Sequence, residues 1–397
     1  MKRVNTITVI LLILTTGCGG NRKSKSQNDD FSTVAIADTF ITVDVTKKYP
    51  KKELILQDIM DVEYIALEST DEFLFQGVVQ AIGKEIILGR NIINDGDIFI
   101  FDRNGKGLRK INRKGQGPGE YILNLSVFLD EGNGEIYVDE VIRNVLVYDL
   151  YGNFLRNIHR GENRWINANN YDLDYLIARE SPYAYKGNKD DNHQRFFIIS
   201  KQDGSIVKDF RVNFDKRVEW GITNRAGNAG GAPRLFPIIP YNDSWLFMEP
   251  SSDTVFRISA DYSITPFISR TPSIQSMKPA IFLLPCIFTE RYYFMETIKM
   301  EADFSRNEGF PKIRLAYDRK ENALFEYTVF NDDFLKKDPV DLTLQETTNN
   351  EIAFFQKFDP HELIESYEKG QLKGKLKEIA AKLEEDSNPV IMLVKYK

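Results

Sequence analysis

One pattern constrains this chain more than any other. A short apolar strand, a polar turn and a second strand recur five times: Ile98–Ile111, Val145–Ile158, Phe196–Phe210, Val255–Ile268 and Ile313–Tyr327. Alternation and β-branched or aromatic content mark the arms as strands. The turns DRNG, DLYG and KQDG carry the Asp, Asn and Gly that hairpins require. Aligned on Gly105, Gly152, Gly204, Tyr262 and Glu321, the copies are 47, 52, 58 and 59 residues apart. That spacing leaves room for two more strands per unit, and in the second unit 122–129 and 135–139 supply them. Four strands at this period predict a β-propeller.

Five units are visible in this pattern, and a sixth is assembled from both ends. Strands are expected at Val62–Glu68, at Glu351–Gln356 and at Pro389–Tyr396. Pairing the two termini in one blade closes the ring and removes an open edge. Residues 361–385 have helical periodicity and helix-forming composition. They are expected to be an amphipathic insertion in the last blade, at about 360–386, packed against the propeller wall. The expected fold is therefore an all-β, six-bladed propeller of four-stranded blades.

The N-terminus carries an address. Lys2 and Arg3 precede the apolar run Ile7–Leu14, which is far shorter than the roughly 20 residues a membrane-spanning helix needs. Thr15, Thr16 and Gly17 then lead into Cys18, as in a secretory signal. The cysteine after small residues resembles a bacterial lipobox, although Leu14 stands four places before it and the usual pattern has leucine at three. The expected organisation is a signal peptide at 1–17, a lipidated Cys18 with a polar tether over 18–38, and the propeller over 39–397. Anchoring in a bacterial outer membrane follows. Early basic residues, with Asp29 and Asp30 later, lean toward the periplasmic side.

The run from VEYIALE through IFIFDRNGKGLRKINRKGQGPGEY, with the late helix and terminal NPVIMLVKYK, is similar to the six-bladed propeller lipoproteins of Bacteroides and relatives. These are distantly NHL-like. The resemblance covers Val62–Lys397 and implies a fold and an envelope location. It carries no catalytic residues with it.

The stretch KGQGPGEY, Lys114–Tyr121, has the look of a phosphate loop without the context. It lies between two strands, lacks the third glycine of a dinucleotide fingerprint, and has no GK[ST] ending. It is expected to be the connection from the outer strand of blade 1 to blade 2, with Glu120 fixing the turn by hydrogen bonding. Asp102, Asp149 and Asp318, at turn starts, are expected to cap their own backbones.

Propeller topology puts this connection on one face with the loops between second and third strands. Long segments collect there: 180–194, 215–233 and the helical insertion. Long loops on a rigid scaffold are where binding usually resides. Candidate ligand-binding residues on that face are Arg113, Lys114, Gln116 and Glu120, then Tyr183, Tyr185, Trp220 and Arg225. Three repeats also carry arginine eight residues after the turn marker: Arg113, Arg160 and Arg270. A ring of guanidiniums would suit carboxylate, sulfate or phosphate.

The net charge of −6, without a basic stripe, argues against nucleic acid. Three histidines and two cysteines supply neither a His-rich zinc centre nor a disulfide framework. Cys286, in PAIFLLPCIF, reads as a buried thiol. The leading expectation is a non-catalytic envelope protein, binding a small ligand (a glycan or an anion) or a protein partner. No cofactor is expected, with calcium left open. The alternative is a metal-dependent lactonase or lyase, and a third possibility is a scaffold in a membrane uptake complex.

Overall fold

A computed structural model describes residues 40–91, 95–124, 126–140, 144–160, 165–181, 192–223, 230–302, 309–343 and 349–397. All belong to the unit Asp38–Lys397; the other unit, Met1–Ala37, lies outside the described residues and includes Cys18.

The strands form a six-bladed β-propeller. Blade 1 holds Val78–Ile82, Ile86–Arg90, Asp97–Asp102 and Gly107–Asn112, in that order from first to last. Blade 2 spans Ser126–His159 and blade 3 spans Trp165–Asn213, each with four antiparallel strands in sequence order. Blades 4 and 5 contribute four strands each over Ile238–Thr271 and Ile281–Phe330. Third strands such as Asp97–Asp102 and Asn144–Asp149 have four consecutive buried residues, because both faces pack on neighbouring blades. Outer strands such as Gly107–Asn112 are only partly buried.

The hairpins fall where the repeat predicts. Gly105, Gly152 and Gly204 take φ of +86°, +81° and +78°, and Tyr262 takes +64° at the equivalent place. In blade 5 the left-handed residue is Asn322, at φ +51°, so the register is one residue later than an alignment on Glu321 implies. Asp102 Oδ1 accepts from the N–H groups of Asn104 and Lys106, at 2.8 and 2.9 Å, and Asp149 and Asp318 accept in the same way.

The ring closes through both termini. Val390–Lys395 pairs antiparallel with Asp61–Ala66 on one side and Ile352–Phe358 on the other, with Ile391 opposite Ile65 and Lys357. This sixth sheet has three strands among the described residues. The helical stretch lies between Ile352–Phe358 and Val390–Lys395, but it is two short helices, Pro360–Glu368 and Gly374–Ala380. Gly370 and Gly374, at φ +65° and +54°, break the continuous periodicity. Leu363, Leu372, Leu376 and Ala380 are buried in the core that blades 5 and 6 share, so the insertion packs on the wall as its amphipathic face demands.

The sequence pattern left the segment before blade 6 unread. Ile41–Asp44 adds in parallel to the outer strand of blade 4, and Lys51–Ile55 does the same on blade 5. With Asp61–Ala66 on blade 6, three strands start ten residues apart on three successive blades. Ten extended residues reach roughly 33 Å, enough to pass from one blade edge to the next. The strap covers two edges that would otherwise present unpaired backbone.

Blade 5 holds a misfit. The Glu296 side chain is 3% exposed; Oε1 accepts from Lys312 Nζ at 3.1 Å, while Oε2 is buried without a hydrogen-bond partner. Burial raises its carboxyl above the ordinary 4.5, against the pull of Lys312. A raised folded value favours the protonated protein. The stabilisation is therefore full below about pH 4.5 and lost as pH rises through the folded value. Urea melts should show Glu296→Gln gaining on the parent between pH 4 and pH 7. An unchanged difference across that range would refute the assignment.

Candidate functional site

The KGQGPGEY stretch folds as a closed turn. Gly115 N–H reaches Tyr121 O at 3.1 Å, and Tyr121 N–H returns to Arg113 O at 3.0 Å. Glu120 Oε2 accepts from Gly117 N–H at 2.8 Å, as expected. A Cβ on Gly115 would sit 1.9 Å from that oxygen, so a larger residue there would push the Glu120 carboxylate aside. The anchor that sequence reading overlooked is Tyr121. It is fully buried, donates to Gly96 O at 2.6 Å, and burial pushes its hydroxyl up to about 12. Tyr148 then ties blade 2 to the turn through Gly119 O at 2.9 Å.

The three repeat arginines are committed within the protein. Arg113 Nε donates to Gly152 O in the next blade at 2.8 Å. Arg160 is 4% exposed, bonds Asp139, and its guanidinium lies 4.7 Å from the Trp165 ring. Arg270 is 6% exposed and donates to Pro272 O at 3.1 Å, to Ile281 O and to Met277 Sδ; burial lowers its pKa. Arg160 and Arg270 therefore have little surface to offer an anion. Lys114 and Gln116 are exposed on the turn. Trp220 donates to Pro233 O at 3.0 Å and meets Phe282 edge-on at 4.7 Å, which makes it a packing residue. Tyr183, Tyr185 and Arg225 lie outside the described residues.

The principal cavity, about 1080 Å³, opens on the other face. It is ringed by the turns between first and second strands of blades 1 to 4, and by Asn349–Glu351 leading into blade 6. Each turn is short because it joins neighbouring antiparallel strands. The turns are stitched together. Glu131 accepts from Glu85 N–H at 2.8 Å, linking blades 2 and 1. Asn349 donates to Ile82 O at 3.1 Å and Asn350 donates to Asn242 O, linking blade 6 to blades 1 and 4. Lys201, 3% exposed, places Nζ 2.5 Å from Asp130 Oδ2 and also donates to Asp172 O.

Two chemistries line the cavity. Tyr171 stacks with Trp245 and with Tyr262, with centroids 6.4 and 6.0 Å away and planes 25° and 23° apart. Burial and the neighbouring Asp172 raise the Tyr262 hydroxyl pKa, so it stays a neutral donor. The second chemistry is carboxamide: Gln80, Asn169, Asn170, Asn242, Asn349 and Asn350. Among the described lining residues Lys84 is the single cation, against Glu85, Asp130, Glu131, Asp172, Asp243 and Glu351. No group of three His, Cys, Asp or Glu positioned to hold a metal occurs among the described residues. Cys286 is partly buried, and desolvation raises its thiol well above the ordinary value. No helix among the described residues is long and apolar enough to cross a membrane.

A strap, a ring closed by both termini and a polar cavity at the strand 1–2 turns define the class, a six-bladed β-propeller. The chain belongs to the family described as a domain of unknown function, DUF4934, whose model matches residues 40–395. Among solved structures it is similar to an exported protein of Bacteroides fragilis, with 18% identity and a TM-score of 0.57 over 90% of this chain and 100% of that one. Weaker likenesses include the WD40 domain of Neurospora crassa Pan2, at 10% identity and TM-score 0.34, covering 77% of this chain and 78% of that one. Virginiamycin B lyase of Staphylococcus aureus follows at 12% identity and TM-score 0.31, covering 67% of this chain and 88% of that one. The first of these supports the fold; the others carry no argument. No curated protein matches the sequence.

Proposed function

We propose that this protein is an exported, non-catalytic binding propeller, held to the bacterial outer membrane through a lipid on Cys18, whose small ligand occupies the cavity at the strand 1–2 turns. The cavity carries the reading. Its volume, about 1080 Å³, suits an organic ligand, and its aromatic and polar lining is that of a pocket rather than of a packed core. Export is supported by the N-terminal signal pattern and by the likeness to an exported Bacteroides protein. The opposite face, where long loops gather, is a weaker candidate because Arg160, Arg270 and Trp220 are occupied in packing.

The test is a thermal-shift screen of the full chain against oligosaccharides, peptides, organic acids and lactones, each with calcium or with EDTA. A ligand at 100 times its Kd stabilises by about 2.7 kcal/mol. The shift is expected to vanish in Asp243→Trp, which plugs the cavity mouth, and to survive in Gln116→Trp on the other face. The reverse pattern would place binding on the long-loop face. Calcium-dependent turnover of a lactone would overturn the non-catalytic reading.

A further inference from the structure

We infer that the cavity takes a neutral glycan, with one sugar ring against the aromatic group of Tyr171, Tyr262 and Trp245 and its hydroxyls bonded by the lining carboxamides. This rests on the cavity being the binding site.

Three observations converge. Asn170 closes the first strand of blade 3 and lines the cavity beside Tyr171. Its Nδ2 is spent on Leu129 O, which fixes the amide, while Oδ1 is buried with no hydrogen-bond partner. The amide is therefore held in place at the cavity wall before any ligand arrives. The second observation is the stack itself. Tyr171 stacks with both Trp245 and Tyr262, so its orientation is set before binding. Rigid rings match the flat apolar C–H face of a pyranose at little entropic cost.

The third is charge and donor balance. Six carboxamides both donate and accept, as sugar hydroxyls do. With Asp130 paired to Lys201, five further lining carboxylates against one lining lysine leave the cavity acidic, which disfavours sulfate, phosphate and uronate groups. A peptide would need its backbone donors and acceptors met in ladder fashion, and the described rim is made of closed turns rather than of an open strand edge.

The experiment uses an array of neutral, sulfated and uronic-acid oligosaccharides with the full chain. Retention of at least one neutral oligosaccharide is expected, with Kd rising about tenfold or more in Tyr171→Ala and in Asn170→Ala. Tyr262→Ala should weaken binding likewise, and circular dichroism checks that each variant is folded. Lys369→Ala, in the helical insertion away from the cavity lining, should leave neutral binding within about twofold. Retention of acidic oligosaccharides alone, or of none, overturns the glycan assignment. If a non-sugar ligand binds and is lost in Asp243→Trp, the cavity stands and only the glycan assignment falls. If a neutral glycan binds equally well to Asp243→Trp, Tyr171→Ala and Asn170→Ala, the cavity itself is wrong.

Discussion

Ile391→Asp leaves this protein without a cooperative fold. Ile391 has no exposed surface and sits on the middle strand of the closing blade, opposite Ile65 from the N-terminal side and Lys357 from the strand before the helices. It belongs to the core cluster with Ile65, Phe99, Phe101 and Leu393 that joins blade 6 to blade 1. Truncating such a residue costs about 2–5 kcal/mol in lost contacts and cavity, and a buried unpaired carboxylate adds several more. Against a typical total of roughly 5–15 kcal/mol, that is most of the stability. The position also matters because the ring has a single closure. If the terminal strand leaves, blade 6 loses its centre and an edge opens on each side. Ile391→Val should cost only about 1 kcal/mol, and Lys397→Asp, on the exposed last residue, within about 0.5. Chemical melts followed by circular dichroism make the comparison. A folded Ile391→Asp melting close to the parent would mean that the C-terminal strand does not close the ring.

Most of the fold was legible because its signals are local. Each third and fourth strand is joined by a tight turn, and a tight turn needs a left-handed residue and a capping aspartate. Gly105, Gly152 and Gly204 carry that requirement in their identity. Tyr262 and Asn322 meet it without glycine, which is why the blade 5 register slipped by one residue in the alignment. The strap was not legible for the opposite reason. Ile41–Asp44 and Lys51–Ile55 are short and bind in parallel to strands more than 200 residues away. No turn joins them to their partners, so nothing nearby in sequence records the pairing.

The candidate site was less legible than the fold. Long loops, glycines and arginines draw the eye, and they sit on the face where connections are long. The arginines prove to be mortar: Arg109 reaches Leu150 O at 3.4 Å and Arg156 reaches Lys201 O at 2.9 Å, each in the next blade, as Arg113 reaches Gly152 O. The cavity lining instead comes from short turns, GKE at 83–85, EGN at 131–133 and ND at 242–243, that read as ordinary punctuation. Only their convergence around one axis brings them together as a cavity, and that needs the ring. One signal was available: the tripeptide Asn169–Asn170–Tyr171, amides leading into an aromatic at the end of a first strand, is unusual where a core strand should finish.

Lys201→Ala is expected to cost about 3–5 kcal/mol, far more than any surface ion pair. Lys201 and Asp130 are 3% and 4% exposed, so removing the ammonium strands a buried carboxylate whose remaining side-chain partner is Asn133, at 2.8 Å. The ammonium also holds Asp172 O, the start of the blade 3 turn that presents Tyr171. Loss of the lysine therefore removes a strut under the aromatic ledge as well as a charge pair. Lys369→Ala is the control. Its partner Glu365 is half exposed and one helical turn away, and such pairs contribute about 0.3–0.5 kcal/mol. The double variant Lys201→Met with Asp130→Leu should recover most of the lost stability, because two apolar groups of similar size remove both desolvation penalties together. It should not recover ligand affinity in full, since methionine cannot bond Asp172 O. Stability and binding thus separate: the double variant folds like the parent and binds more weakly. A single Lys201→Ala variant within about 0.5 kcal/mol of the parent would show that water replaces the lysine. A double variant with parental affinity would show that the blade 3 turn holds its shape without the latch.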